Sequence, residues 1–338
     1  LSRNCRFTRW AGYSFYVLVA VALGASPTAF ANDSSASLGT GGLSLAYNSH
    51  IEMHEEELYL SVREIRVRYR FFNKSREDIE TLVAFPLPKI ENGEGGNYGV
   101  TSADPVNFIG FEVMVDGHPV TPMVEARAVS MGVDVTKLLQ KYDLPLTTIT
   151  ADDEARVRLN TRMRDLPVEA RRELERYGVM DWQSILDKDN KPDANPRWTT
   201  HITFYWLQTF PAGRTIEVTH RYRPVPRRFI ASTEEIRTSK LRETYCADAA
   251  FIRGVAAQEK AAGNLMGTEL HYIISTAQNW SGPIKKFSLT IDKGSADKLA
   301  STCFKGLKKT GSTTFSVVKE DFWPQDDLGV LLIDKAAD

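Results

Sequence analysis

Chemistry-bearing residues crowd into the stretch HIEMHEEE. On a strand, His50, Glu52 and His54 fall on one face, and Glu55, Glu56 and Glu57 follow. Imidazole with carboxylate is the donor chemistry of zinc sites. No helix sets the ligand spacing here, so the segment reads as a solvated strand face beside inward Ile51 and Met53. Cys246 precedes a helical stretch, where a thiolate is favoured, and His220 or His271 could serve as its base. Cys303 offers it a simpler use as a disulfide partner. The segment HRYRPVPRR carries Arg221, Arg223, Arg227 and Arg228, which could dock an anionic sugar, a lipid headgroup or an acidic partner. A proline-broken, solvated strand end accounts for the same residues more simply.

Other signals point to packing. Trp182, Trp198, Trp206, Trp280 and Trp323 could stack on sugars, but aromatic residues alternating in strands are the usual material of a sheet core, and Trp206 is the leading core candidate. Asp33 to Ser37 spells D-x-S-x-S, a metal-adhesion pattern that needs a buried strand ahead of it, and none precedes it here. A G-x-S-x-G elbow, a phosphate loop, a dinucleotide fingerprint and a Cys-x-x-Cys pair are absent, so no catalytic residue, metal site or cofactor is assigned.

The elements that hold these residues are mostly strands. In ELYLSVREIRVRYRFFN, Leu58, Leu60 and Val62 alternate in one phase, and Ile65, Val67, Tyr69 and Phe71 in another. A slip at Arg63-Glu64 is the mark of a bulge or sharp bend. Asn73 to Glu77 reads as a turn and Ile79 to Phe85 as the returning strand, stopped by Pro86 and Pro88, which lack a backbone N–H. FPLP is thus a strand terminator without chemistry of its own. From Val135 the period becomes helical through VTKLLQKY, Asp152 to Met163, and DLPVEARRELERYG. The stretch from Lys188 to Pro196 reads as a polar loop. Strands resume at Thr199 to Thr209 and Thr215 to Tyr222. A helix from Ala249 to Ala262 and further short strands complete the chain.

With 338 residues, 42% of them hydrophobic, the chain has material for two cores. Its formal net charge is −1, and Arg3, Arg6 and Arg9 precede every acidic residue, so the remainder is mildly acidic and gives no reason to expect nucleic acid. Those arginines, the apolar run YSFYVLVAVALGA and the triplet Ala29-Phe30-Ala31 have the three-part layout of a secretory signal cleaved after Ala31. The run is short for a membrane span, which needs about 20 residues. Export leaves Cys246 and Cys303 as an even pair in an oxidising compartment, which reads as one disulfide. The leader NDSSASLGTGG is too small in its side chains to form a core by itself.

From NDSSASLGTGGL through YRFFNKSREDIETLVAFPLP, FYWLQTFPAG and NWSGPIKKFSLTIDKG to FWPQDDLGVLLID, the chain resembles the bacterial domain of unknown function 4424 family. The resemblance covers nearly all of the sequence beyond the expected signal at 1–31 and implies an exported bacterial protein. Within it, Asn73, the polar turn, FPLP and GFEVMVDGHPV look like the vault/inter-alpha-trypsin β-sandwich module, over about Leu58 to Val124, with no von Willebrand A domain following.

The expectation is a mostly-β (α+β) protein with two β-sandwich-like parts and an α-helical insertion. Its divisions are a signal at 1–31, an N-terminal sandwich part at 32–134 and a helical insertion at 135–198. Strands returning to the first sandwich follow at 199–245, then a C-terminal helix and sandwich part at 246–338. The insertion is either partner-facing or the cover of an open sheet edge. The expected role is a non-catalytic periplasmic binding or assembly module whose partner is an envelope protein or glycan. The enzymatic alternative is an envelope hydrolase or transferase using Cys246 or a His50/His54 metal site.

Overall fold

The computed structural model describes residues 32–39, 42–93, 97–98, 107–148, 153–186 and 192–336. The signal stretch 1–31 lies outside them, as do Asp152 at the start of an expected helix and Lys188 to Lys191 of the expected polar loop. The protein is mostly β, with a helical insertion, as its patterning implies.

Among the described residues, the largest sheet has eight strands. Its middle is the hairpin Ile51–Ser61 with Ile65–Asn73. Thr215–Tyr222 adds beside the second strand, and Ile284–Asp292 adds beside the first in parallel, with Leu289 opposite Leu58. Alternation explains the burial. Ile65, Val67, Tyr69 and Phe71 are all but inaccessible, while Arg66, Arg68 and Arg70 face out. The outer face is tiled with opposite charges, Arg68 contacting Glu55, Glu57 and Glu217 and Arg70 contacting Glu55. The expected break at Arg63-Glu64 is the hairpin turn, closed by Ser61 Oγ donating to the Glu64 carbonyl at 2.9 Å. The true register shift lies earlier, between Met53 and Glu55, and it turns Glu56 inward with Leu58 and Leu60.

After Asn73 the chain changes sheets. Asn73 Nδ2 donates to the carbonyls of Glu77 and Phe210, both at 2.8 Å, which fixes the crossing. Ile79–Pro86 therefore does not return beside Ile65–Asn73; it pairs with Thr199–Phe210, Phe85 opposite Phe204. The reason is its second apolar face, where Leu82 and Ala84 meet Ala36, Leu43 and Tyr205. The leader departs from expectation too. Ser34–Gly39 pairs with Ile79–Pro86, and Asn32 to Ser35 are buried. Small side chains let this backbone thread where larger ones could not.

The last third divides between two sheets. Ile284–Asp292 and Thr314–Phe322 extend the eight-stranded sheet, whereas Leu265–Tyr272 and Leu328–Lys335 build a five-stranded one with Arg227–Ala231. The seven-stranded sheet that holds Ile79–Pro86 and Thr199–Phe210 sends Phe85, Phe204 and Trp206 into one core with the large sheet, and the five-stranded sheet sends Leu270, Tyr272 and Val330.

The insertion carries its own apolar cluster, with Leu139, Met163, Leu174 and Trp198 buried together. Gly178 ends the helix Val168–Arg176 in the left-handed region at φ +61°. The stretch expected as a polar loop contains a strand, Pro192–Pro196, which pairs with Met180–Leu186 and carries proline only at its ends. Cys246 and Cys303 are bonded. Their sequence separation of 57 corresponds to about 4 kcal/mol of stabilisation in the chain-entropy picture.

Val67→Asp is expected to lower stability by more than about 4 kcal/mol, because it buries an unpaired charge, and Arg66→Asp by about 1 kcal/mol or less. Urea unfolding of the two variants checks the assignment of faces; equal losses would contradict it.

Candidate functional site

Three strand ends, one from each larger sheet, leave a cleft of about 380 Å³. FPLP forms one wall: the strand ends at Pro86, and Leu87 and Pro88 line the opening. Ile109, Tyr222, Val225 and Leu270 add apolar surface. Arg227 and Glu269 add a polar side and pair at 3.0 Å. Local packing sets Arg227. Its guanidinium lies 5.6 Å from the Phe229 ring, and that ring occupies the space a side chain at Gly267 would need. His271 lines the cleft and shares a 2.9 Å hydrogen bond between its Nε2 and the Tyr245 hydroxyl. Burial lowers the His271 pKa and raises that of Tyr245, so both are neutral at pH 7. Such a wall can hold an apolar body and orient a polar group.

Behind Tyr222 lies a buried polar cluster. His220 is two residues before Tyr222 on the same inward face, ringed by Tyr69, Phe85, Phe111 and Trp206. Its Nε2 is 3.5 Å from Asp33 Oδ1, within ion-pair reach but not aligned as a hydrogen bond. Both oxygens of Asp33, Oε1 of Glu56 and the Tyr222 hydroxyl have no hydrogen-bond partner. Asn32 Nδ2 donates to Glu56 Oε2 at 3.2 Å, and the Tyr69 hydroxyl donates to Asn32 Oδ1. The Tyr69 and Tyr272 hydroxyls are 2.9 Å apart. Trp280 Nε1 donates to the Asp33 carbonyl at 2.6 Å, and Thr276 Oγ1 to that of Asn32 at 2.9 Å.

Burial dominates the electrostatics. It raises the Glu56 carboxyl to about 8, against the pull of Asn32 and Tyr272. It also raises Asp33, with Glu56 adding to the effect, and lowers His220 to about 3.

A family profile described as "Domain of unknown function (DUF4424)" matches residues 31–331. The chain belongs to the DUF4424 family. No protein of curated function matches the sequence. A crystal structure from Legionella pneumophila, provisionally described as a nutrient binding protein, is similar at 12% identity and a TM-score of 0.43, over 90% of this chain and 70% of that one.

In this DUF4424 member, the arginines of HRYRPVPRR do not share one site. Arg221 and Arg223 border a shallow depression, Arg221 paired with Glu112 at 3.2 Å. Arg227 lines the cleft, and Arg228 is exposed on the alternate side of its strand. Cys246 is held as a disulfide, so it presents no thiolate. His54 contacts Glu52 at 3.2 Å and stacks on Phe72, while His50 is exposed. Among the described residues, no group of three or more His, Cys, Asp or Glu could hold a metal ion, and no helix is long and apolar enough to cross a membrane. Trp198, Trp206 and Trp280 are core, and Trp323 is exposed. Asp33, Glu56 and His220 were not read as one site. The signal was present: His220 holds a core position in the series Ile216, Val218, Tyr222.

The Glu56 shift predicts a pH dependence for the chain in which Asn32 is peptide-bonded to Ala31. Between the unfolded value of 4.5 and the folded value of about 8, the folded state keeps a proton that the unfolded state has released. Stability from this group is complete below the lower value and is lost as pH rises through the upper one. Unfolded His220 still releases its own proton near pH 6.5, which opposes the decline there, so the loss steepens above that value and stays below about 1.4 kcal/mol per pH unit per proton. Thermal melts from pH 6.5 to 8 should show it, and Glu56→Gln should flatten the decline.

Proposed function

We propose that this DUF4424 member is an exported, periplasmic, non-catalytic binding module of the cell envelope, and that its ligand seats in the cleft between FPLP and Arg227. The observation that carries this is the cleft itself: apolar wall and paired ions converge at the junction of three sheets, at a volume suited to a small molecule. The three-part signal layout at 1–31 supports export. An apolar patch against Leu87 and Leu270, with Arg227, Glu269 and His271 as polar handles, suits a sugar-sized or amino-acid-sized ligand carrying one apolar face. A terminal unit of an envelope glycan meets that description. The hydrolase or transferase alternative has no thiolate at Cys246 to draw on.

Thermal-shift titration against a panel of monosaccharides, disaccharides, amino acids and dipeptides tests the reading. At least one class should stabilise the exported protein. Val225→Trp, which fills the cleft, should weaken that binding at least tenfold, about 1.4 kcal/mol. Binding that survives Val225→Trp unchanged, or no binding by any class, would set the cleft aside.

A further inference from the structure

Asn32 is the first residue after the expected cleavage point, and it is buried. A chain terminus ordinarily lies at the surface, because its charge is costly to desolvate. Here it is held on several sides. Its carbonyl accepts from Thr276, its amide donates to Glu56, and its amide oxygen accepts from Tyr69 and from the Asp33 backbone N–H at 2.9 Å. By bond lengths its α-nitrogen lies within about 5 Å of its own Nδ2, which is itself 3.2 Å from Glu56. Around it stand two fully buried carboxyl groups with unpartnered oxygens, and among the described residues no Lys or Arg pairs with them. Acidic groups buried without a cation are costly unless a counter-charge arrives.

We propose that the counter-charge is the chain's own α-ammonium, released by cleavage after Ala31, and that the Asp33–Glu56 cluster is a built-in acceptor for that new N-terminus. The inference rests on the export reading above. Hydrolysis of the Ala31–Asn32 amide by a signal peptidase consumes one water. The C–N bond breaks, hydroxyl adds to the Ala31 carbonyl carbon, and hydrogen adds to the Asn32 nitrogen. The new Ala31 carboxyl gives up its proton and the amine takes one up, so an ammonium appears where an uncharged amide stood. With that cation in place, Glu56 or Asp33 can release its proton and remain paired. The groups facing the site are Asp33 on its own segment, Glu56 and Tyr69 from the central hairpin, His220 from the neighbouring strand and Tyr272 from the five-stranded sheet. None of these is a cation at neutral pH, His220 being held neutral by burial. Processing thereby becomes a folding step: the precursor cannot make the pair, and the exported chain can.

N-terminal sequencing of the protein from the envelope fraction tests the cleavage on which this rests. Asn32 is expected, and any other first residue overturns the inference. Equilibrium unfolding then tests the pair itself, comparing the exported chain beginning at Asn32 with one that keeps Ala31 ahead of it, so that the amine is displaced by one residue. The Ala31-first form should show at least a tenfold larger unfolding constant at pH 7. It should also keep the stability decline that begins near pH 6.5, whereas in the Asn32-first form the decline should be confined to pH above about 7.7, where the unfolded α-amine releases its proton and the paired one does not. Equal unfolding constants and equal pH profiles would overturn the pair while leaving export and the cleft untouched. If the Ala31-first form fails to fold, Asp33→Asn with Glu56→Gln should restore its folding. An unfolded double variant would likewise overturn the proposal.

Discussion

The structure depends on one constraint: polar groups carried into the centre of a three-sheet core must find partners there. Two of the sheets and a short helix contribute to meeting it. The large sheet supplies Glu56, Tyr69 and His220, the five-stranded sheet supplies Tyr272, and the short helix Ser275–Asn279 with Trp280 closes over the leader's backbone carbonyls. Apolar packing would hold the sheets together in several registers. Hydrogen bonds through Asn32 are directional and admit far fewer.

The cleft inherits its shape from that centre. Tyr222 belongs to both, its ring lining the opening and its neighbour His220 lying in the cluster. On the opposite wall, the Cys246–Cys303 bond holds the turn that carries Tyr245. Ser301 Oγ donates to the Tyr245 carbonyl at 2.9 Å, and Tyr245 in turn orients His271. Gly329 leaves room for this pair, since a Cβ there would lie 3.1 Å from the Tyr245 ring. The cleft-facing side chains are thus set by covalent and hydrogen-bonded supports that do not themselves reach the opening.

Local patterning was legible in the sequence where one face is wet. Ile65, Val67, Tyr69 and Phe71 against Arg66, Arg68 and Arg70 left no doubt about strand or face. The helix Ala249–Ala262 was equally plain, bounded by Asp248 as its cap and Gly263 at its exit. What could not be read was partnership. Ile79–Pro86 looks like the return arm of a hairpin until the pairing with Thr199–Phe210 is seen, because alternation specifies a face and not a neighbour. Glu56 was obscured by the bulge after Met53, which places it in phase with Leu58 inside a run that otherwise reads as acidic surface. Asn32 and Asp33 carry no local signal of burial; their partners lie more than 20 and up to about 250 residues away, as the contacts with Glu56, Thr276 and Trp280 show. FPLP did read correctly as a strand stop, but its place on a cleft wall depends on strands that arrive much later.

The parallel pairing of Ile284–Asp292 with Ile51–Ser61 has a consequence for the order of events in folding. One flank of the central hairpin stays open until a strand more than two hundred residues downstream has emerged. Loop closure over such a distance is entropically slow, so a contact map of this kind belongs to a late-committing folder. The topology therefore delays completion of the central sheet until the last third of the chain is present.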